Sequence, residues 1–321
     1  MSADVFTRIR EGCARVMERA AHVRVDGERV RALAADLAGP EPAAPQLDPA
    51  HHHLADDPST LAYVLTLDSI NFGSGWFPHL RKRDGRSGYL TVATALREKF
   101  ASAGPWSAAE LTGFTADDCA RVLGQDASRP PVAELMGLYA RALADLGRFL
   151  EQRFGGCFEG PIEEAGGSAA RLLEILTEMP FYRDVAVFEG LEVPFYKRAQ
   201  ITASDLAAAF GDRGPGRFRD LDRLTCFADN LVPHVLRLEG ILVYAPALVQ
   251  RIEAEELIPV GSPEEVEIRA GAVHAVECCV AAARDAGIEV TARQLDSILW
   301  KRGHERALKA HPRHRTHSPY Y

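Results

Sequence analysis

The sequence lacks several features that would assign it to a broad class of protein. No apolar run approaches the roughly 18 residues that a membrane-spanning helix requires. The six cysteines of the 321-residue chain form no CxxC pair and show no metal-ligand spacing. The segment from Met1 to Arg8 has no basic stretch followed by an apolar one, which a secretory signal would show. These absences predict a cytoplasmic protein with reduced thiols and no metal site.

Basic residues are also in deficit, with 37 Lys and Arg against 45 Asp and Glu and a formal net charge of -8. A protein that grips a nucleic-acid polymer neutralises many phosphates with a basic surface. The balance therefore favours a nucleoside or mononucleotide ligand over intact DNA or tRNA. Net charge is compatible with a local basic groove, so a glycosylase acting on a base in DNA or RNA stays open as an alternative.

Helical periodicity dominates what is present, with apolar residues recurring at i, i+3 and i+4. The predicted helices are Val5 to Ala35, Leu61 to Leu67, Gly88 to Ala101, Val132 to Gln152, Ser168 to Glu178, Ser204 to Ala209, Leu231 to Leu238, Pro263 to Asp285 and Thr291 to Leu308. The best strand signal is a hairpin of Val185 to Phe188 and Leu191 to Phe195, turning at Glu189-Gly190. The sequence predicts a mainly α fold with a small β-ribbon.

Proline punctuates the chain between residues 36 and 58, at Pro40, Pro42, Pro45 and Pro49. This composition is typical of an extended connector. We therefore expect residues 1–50 to form an N-terminal helix and Pro-rich connector packed on the body. Residues 51–321 are expected to form one helical domain.

The helix beginning at Pro263 has clear start signals. Ser262 is expected as its N-cap, and Glu265 three residues later would complete a capping box. On the same helix, Arg269 and Glu277 fall on one side, on the face of an apolar stripe. We expect these two residues to form an internal ion pair, which would be costly to break.

Two segments about thirty residues apart carry candidate chemistry: Lys197 and Arg198 within Phe195 to Ile201, and Asp229 ahead of Leu231 to Leu238. A carboxylate beside a sugar with oxocarbenium character lowers the barrier to cleavage of an N-glycosidic bond. The start of a helix favours the ionised form of such an acid. Two plainer interpretations stay open, with Asp229 as an ordinary N-cap and the two cations as a solvated surface pair.

Aromatic residues suggest a pocket for a planar base. Asn71, Phe72 and Trp76 flank Gly73-Ser74-Gly75, and Phe227 lies two residues before Asp229. Aromatic rings hold a base by stacking, and an amide reads its edge by hydrogen bonds. Core packing of the same rings is the alternative. The histidines at 51–53 and near the C-terminus lack metal-ligand spacing, and we interpret them as solvated or hydrogen-bonding; one of the first group, or Arg315, could reach a phosphate.

These motifs, together with Leu67 to Phe72 and Gly261 to Ala270, resemble the queuosine salvage family, the queuosine 5'-phosphate N-glycosylase/hydrolases, in the same order from about residue 50 to Tyr321. The segment led by Asp229 also resembles the helix of helix-hairpin-helix DNA glycosylases, whose leading aspartate stabilises the sugar cation. The resemblance implies a helical single domain similar to DNA glycosylases. It further implies hydrolysis of queuosine 5'-monophosphate to release queuine for tRNA modification, without a metal or another cofactor.

The resemblance implies roles for individual residues. Asp229 would be catalytic, supported by Lys197. The expected substrate-binding residues are Asn71, Phe72, Trp76, Arg198, Phe227 and His234. The expected partner is the small-molecule substrate, bound by a monomer, with neither a nucleic-acid polymer nor a membrane involved. A non-catalytic protein that carries the modified nucleotide is a further alternative. The residue that protonates the leaving base is not identified.

Overall fold

The computed structural model describes residues 4–38, 44–55, 57–211 and 213–321. Its residues divide into two compact units. The first consists of Met1–Pro45, Asp184–Gln200 and Asp220–His317, and the second of Gln46–Arg183, Ile201–Arg219 and Ser318–Tyr321. The described helices include none that is both long and apolar enough to cross a membrane. The prediction of a mainly helical protein with a small β-ribbon is confirmed.

The first unit surrounds one long helix with shorter helices and two β-ribbons. Its helices are α1 (Val5–Met17), α2 (Gly27–Asp36), the start of α10 (Lys197–Phe210), α11 (Val232–Leu238), α12 (Pro246–Glu253), α13 (Pro263–Asp285), α14 (Ala292–Arg302) and α15 (Arg306–Lys309). The antiparallel ribbons pair β1 (Val23–Val25) with β4 (Leu242–Tyr244) and β2 (Val185–Phe188) with β3 (Leu191–Pro194). The predicted hairpin is confirmed, with Glu189 and Gly190 at positive φ in its turn.

Helix α13 is the centre of this unit because it is buried along most of its length. It packs against α1, α2, α11, α14 and the β1–β4 ribbon. A Cβ on Gly271 would lie 3.1 Å from Val23 Cγ1, so the glycine allows the ribbon to approach the helix closely. Because its buried residues include the charged Glu265, Glu267 and Arg269 as well as apolar side chains, this helix lies in the core of its unit.

The single helix predicted from Val5 to Ala35 is wrong, because the chain leaves α1 after Met17 and forms β1 before α2. Glu267 explains the interruption. This carboxylate, 1% exposed, accepts hydrogen bonds from the amides of Ala21, His22 and Val23 at 3.1, 2.6 and 3.0 Å. A buried carboxylate needs such donors, and here they come from backbone that a continuous helix would have used internally.

The helix predicted from Thr291 to Leu308 is also interrupted, since α14 ends at Arg302 and α15 starts at Arg306. At the start of α13, Ser262 is the N-cap as predicted and its hydroxyl accepts from the Glu265 amide. Among the described residues, the second hydrogen bond of a capping box, from the Ser262 amide to the Glu265 carboxylate, is absent. The Glu265 carboxylate instead accepts from the amide of Gly261 at 3.1 Å.

The second unit is an assembly of helices around α7. Its helices are α3 (Ser59–Ser69), α4 (Gly88–Ala103), α5 (Ala108–Thr112), α6 (Ala116–Leu123), α7 (Pro130–Phe154), α8 (Gly160–Ala165), α9 (Ala169–Leu176) and the remainder of α10. Helix α7 packs against α3, α5, α6 and α8. The predicted connector falls partly on residues 39–43 and 56, outside the described residues; residues 44–55 form neither helix nor strand. The proposed boundary at residue 50 stays a prediction.

Candidate functional site

Asp229 is placed at the start of α11 with one carboxylate oxygen available. In the segment 224–236, which is described throughout, Asp229 is the one residue that is not buried. Its Oδ1 accepts hydrogen bonds from the amides of Leu231 at 2.7 Å and Val232 at 3.1 Å. No described residue donates a hydrogen bond to its Oδ2. The two amides thus fix the orientation of the carboxyl group, and Oδ2 can face a ligand.

A buried ion pair holds the backbone next to Asp229. The guanidinium of Arg269 on α13 donates to both oxygens of Asp184, at 2.9 and 2.7 Å, and through Nε to the carbonyl oxygen of Ala228 at 3.1 Å. Both side chains of the pair are almost completely buried. The guanidinium lies 4.0 Å from the ring centre of Phe195. Arg269 thereby fixes the residue immediately before Asp229.

The expected ion pair between Arg269 and Glu277 is wrong. Two turns of helix separate them, and Arg269 reaches Asp184 instead. Glu277 pairs with Arg10 of α1 at 3.0 Å, in a half-exposed position. The sequence predicted correctly that Arg269 is internal, but the partner comes from a segment 85 residues away.

Lys197 and Arg198 are buried at 4% and 1% exposure, so the interpretation as a solvated surface pair is wrong. Lys197 begins α10, and its amide donates to Asp184 Oδ2 at 3.1 Å. Tyr196, just before it, has a φ of +46°, which an L residue adopts at a cost. The amide of Tyr196 donates to the carbonyl oxygen of Asp184 at 3.2 Å. Asp184 therefore organises Lys197 and, through Arg269, the Asp229 segment.

Asp296 on α14 is a second carboxyl group beside Asp229. Its Oδ1 accepts from the amide of Phe227 at 2.8 Å and from the thiol of Cys226 at 3.3 Å. Burial, and then the negative charge of Asp229, raises the pKa of Asp296 from 3.8 to about 7, while the hydrogen bonds from Phe227 and Cys226 and the charge of Lys197 act in the opposite direction. Two acids in unlike environments thus interact, since Asp296 is buried and has a raised pKa whereas Asp229 is partly exposed.

Histidines and an arginine line the other side of α11. His234, 2% exposed, contacts the carbonyl oxygen of Leu308 through Nε2 at 3.0 Å. This contact places the proton on Nε2, and Nδ1 has no hydrogen-bond partner among the described residues. Burial lowers the pKa of His234 to about 4 and that of His314 to about 3, so both rings are neutral at physiological pH. Burial also lowers the pKa of Arg313, which the charge of Asp229 partly offsets.

The remaining predicted residues lie in the second unit. The ring of Phe72 packs edge-on against Tyr139, with centroids 5.1 Å apart, and stacks on Phe181 at 5.8 Å. Trp76 is buried, and its indole donates to Glu134 at 2.8 Å. Asn71 is partly exposed and donates to Asp68 at 3.5 Å. Their role in base binding stays a prediction, and their packing fits the alternative of an aromatic core equally.

Gly73 has to be glycine for this segment to close. Its φ is +97°, and a Cβ at this position would lie 2.5 Å from Leu135 Cδ1. Its amide donates to the carbonyl oxygen of Tyr321 at 2.9 Å.

The described residues contain no group of three or more His, Cys, Asp or Glu that could hold a metal ion.

Comparison with protein families places this chain. The family model described as queuosine salvage protein matches residues 51–321, which include every candidate residue above. The chain belongs to the queuosine salvage family.

Members of this family resemble the chain over nearly its whole length. A queuosine 5'-phosphate N-glycosylase/hydrolase of Sphaerobacter thermophilus is 39% identical over 313 residues, covering 96% of this chain and 95% of the relative. The mouse protein of the same name is 31% identical, with 97% and 98% covered. That of Dictyostelium discoideum is 34% identical, with 82% and 78% covered. The prediction of the family is confirmed.

Three residues of the candidate site in this family member were missed by sequence reasoning. Asp296 directly follows the buried Leu295 and lies three residues before the buried Leu299 on α14. This spacing puts an acid on the apolar side of the helix, which could have indicated a functional residue. Asp184 and Arg313 gave no local signal, because their partners are distant in sequence. Arg315, considered for phosphate binding, instead donates to the carbonyl oxygen of Glu255 at 2.7 Å.

The Asp296→Asn variant is expected to unfold at a higher temperature than wild type at pH 8. Near pH 4 the two proteins should unfold at similar temperatures. A carboxyl with a raised pKa binds its proton more tightly in the folded state, so wild-type stability falls as the pH rises from about 4 to about 7. The rise from 3.8 to about 7 corresponds to about 4 kcal/mol. Asparagine has no such titration. Thermal unfolding of both proteins from pH 4 to pH 8 measures the difference, and parallel profiles would contradict it.

Proposed function

We propose that this chain hydrolyses the N-glycosidic bond of queuosine 5'-monophosphate and releases queuine for reuse in tRNA modification. Its relatives carry the name of this activity. The observation that supports the chemistry best is Asp229, a partly exposed carboxylate at a helix start, with Oδ2 accepting no hydrogen bond from the described residues. A fixed negative charge next to the sugar lowers the barrier to N-glycosidic cleavage.

In the proposed reaction the bond between the sugar carbon and the base nitrogen breaks first, and its electron pair leaves with the base. Asp229 stabilises the positive charge that grows on the sugar. A water molecule then bonds to the sugar carbon and gives up a proton, for which Asp229 Oδ2 is the acceptor. Because Oδ1 is held by two amides, the carboxylate needs no reorganisation during the reaction, which is the condition for effective electrostatic stabilisation.

The leaving base gains a proton during the same reaction. In a 7-deazaguanine a carbon replaces N7, so the proton has to reach another atom of the ring. His234 and His314 are neutral at physiological pH because burial lowers the pKa of each. We assign neither of them as the donor.

The residues proposed to contact the substrate are those expected from the sequence. Lys197 supports the 5'-phosphate or the catalytic acid, and Arg198 is proposed for substrate binding with it. Phe227, with Phe72 and Trp76, is proposed to hold the base, and Asn71 and His234 to read polar groups. A fold similar to that of helix-hairpin-helix DNA glycosylases, a monomeric state, a cytoplasmic location and the lack of a nucleic-acid polymer partner are proposed on the same basis.

The test measures, by chromatography, the single-turnover release of free base from queuosine 5'-monophosphate by the wild-type protein. Release supports the proposal, and an intact nucleotide in the presence of folded protein contradicts it. Tight binding without release would identify a carrier. Binding of tRNA or DNA that weakens steeply with salt would favour an enzyme acting on a polymer.

Lys197→Met is expected to separate the two roles left open for this lysine. Lys197 is buried, so methionine keeps the apolar stem and removes the charge. If the ammonium binds phosphate, kcat/KM falls by about 10- to 100-fold for the 5'-monophosphate, as a lost charged hydrogen bond of about 1.5–3 kcal/mol implies. The value for queuosine nucleoside would then change little.

An equal loss with both substrates would instead place Lys197 in support of the acid. Lys301→Met is the matched control, because Lys301 is an exposed lysine at the end of α14. It should leave both values unchanged. Wild-type values from Lys197→Met with both substrates would remove Lys197 from the site.

A further inference from the structure

Asp296 is a buried acid that the proposed reaction does not use. It lies on α14 at 5% exposure, yet it contacts the segment that carries the catalytic candidate. The Phe227 amide and the Cys226 thiol both donate to its Oδ1. Among the described residues, none donates to its Oδ2. The two bonds join α14 to residues two and three positions before Asp229.

The geometry leaves room for the proton of a neutral acid, although each of the two hydrogen bonds by itself lowers the pKa of Asp296. Both donors converge on Oδ1, so the proton of a carboxylic acid can sit on Oδ2 without displacing either bond. Burial raises the pKa of the Cys226 thiol well above its usual value. The thiol therefore keeps its proton and stays a donor. A buried second anion beside Asp229 would be costly without a partner of its own.

We propose that Asp296 is a positioning residue that, in its protonated form, holds the segment 226–229 so that Asp229 is the carboxylate presented to the substrate. This rests on the function proposed above. Asp296 touches the backbone and thiol of that segment and acts on the reaction through Asp229. Protonated Asp296 supplies an acceptor for two buried donors and adds no negative charge that would repel Asp229 or a substrate phosphate.

Several charged groups surround Asp296. Asp229, Cys226 and Lys197 act on it directly, and Glu277 of α13 acts on the same thiol. Asp222 and Arg223, in the turn 221–223 that packs against α14, are exposed to solvent. Besides burial, the groups that act on its proton are one carboxylate, the Phe227 amide, one thiol and one ammonium group, and loss of the proton leaves two interacting anions.

The experiment compares Asp296→Asn and Asp296→Ala with wild type in base release from queuosine 5'-monophosphate between pH 5.5 and 9. Asparagine keeps an acceptor oxygen and stays neutral, so we expect kcat/KM within about threefold of wild type at pH 6 and no decline at higher pH. Wild type is expected to decline above about pH 7 as Asp296 ionises. Alanine leaves the buried Phe227 amide without an acceptor, and we expect a loss of about tenfold or more at every pH.

Two results would overturn the proposal: an Asp296→Asn enzyme as impaired as Asp296→Ala at pH 6, or one that keeps the alkaline decline of wild type. Asp222→Asn, an exposed aspartate of the same unit, is the control and should match wild type. If Asp296→Ala does not fold, the profiles of wild type and Asp296→Asn decide by themselves. If wild type releases no base, the proposed function fails, and the pH dependence of unfolding tests the protonation of Asp296 separately.

Discussion

Asp229→Asn is expected to lower the single-turnover rate of base release by about 10²- to 10³-fold, the loss typical of removing one preorganised group that stabilises a transition-state charge. Asparagine keeps an oxygen that can accept from the Leu231 and Val232 amides, so the start of α11 should be preserved. What it loses is the negative charge beside the sugar. Because that charge is needed most in the transition state, substrate binding should change far less than the rate.

The measurement pairs chromatography of the released base with a binding titration of queuosine 5'-monophosphate to each protein. Asp222→Asn is again the matched control, since it removes an exposed carboxylate from the same unit. An Asp229→Asn protein that releases base at the wild-type rate would remove Asp229 from the mechanism. Loss of binding in parallel with the rate would make it a binding residue.

Arg269→Met is expected to lower the free energy of unfolding by about 3–5 kcal/mol, because it leaves Asp184 as a buried charge without its partner. The pair is bidentate and both side chains are almost completely buried. The substitution also removes the bond from Nε to the Ala228 carbonyl oxygen. A loss of base release is therefore expected even in protein that stays folded, since Ala228 directly precedes Asp229.

Chemical denaturation monitored by circular dichroism measures the first effect. Arg302→Met is the control, because Arg302 pairs with Glu239 at 3.0 Å in a half-exposed position. A partly solvated pair contributes about 1 kcal/mol or less. Adding Asp184→Asn to Arg269→Met should recover part of the stability by removing the orphaned charge. Equal effects of the two arginine substitutions would contradict the buried-pair account.

Local pattern was sufficient for the elements whose own residues determine them. Helix α13 runs from Pro263 to Asp285 as predicted, because Ser262, Pro263 and a long apolar sequence specify its start and course. The β2–β3 hairpin follows from Glu189-Gly190 between two short apolar strands. The position of Asp229 ahead of α11 was likewise predicted, because an aspartate commonly accepts hydrogen bonds from the first amides of a helix.

Predictions failed where a distant residue decided the local conformation. The stretch from Val5 to Ala35 has helical periodicity, yet Glu267, more than 240 residues away, draws three of its amides out of a helix. Arg269 pairs with Asp184 and not with Glu277, because Glu277 lies two helical turns away on the same helix. Periodicity within a window contains no information on such pairings.

The sequence by itself determined the helical class and the family, and it placed Asp229 ahead of α11. The chemical roles of Asp229 and Lys197 stay proposals, and Lys197 begins α10, a helix that was predicted to start only at Ser204. Tertiary structure decided how they are held: Asp184 receives the Lys197 amide and the Arg269 guanidinium, and Asp296 receives the Phe227 amide. It also decided that Lys197 and Arg198 are buried. The physical reason is that burial and charge pairing depend on residues brought together by the fold, and these surroundings shift the pKa of buried groups such as Asp296.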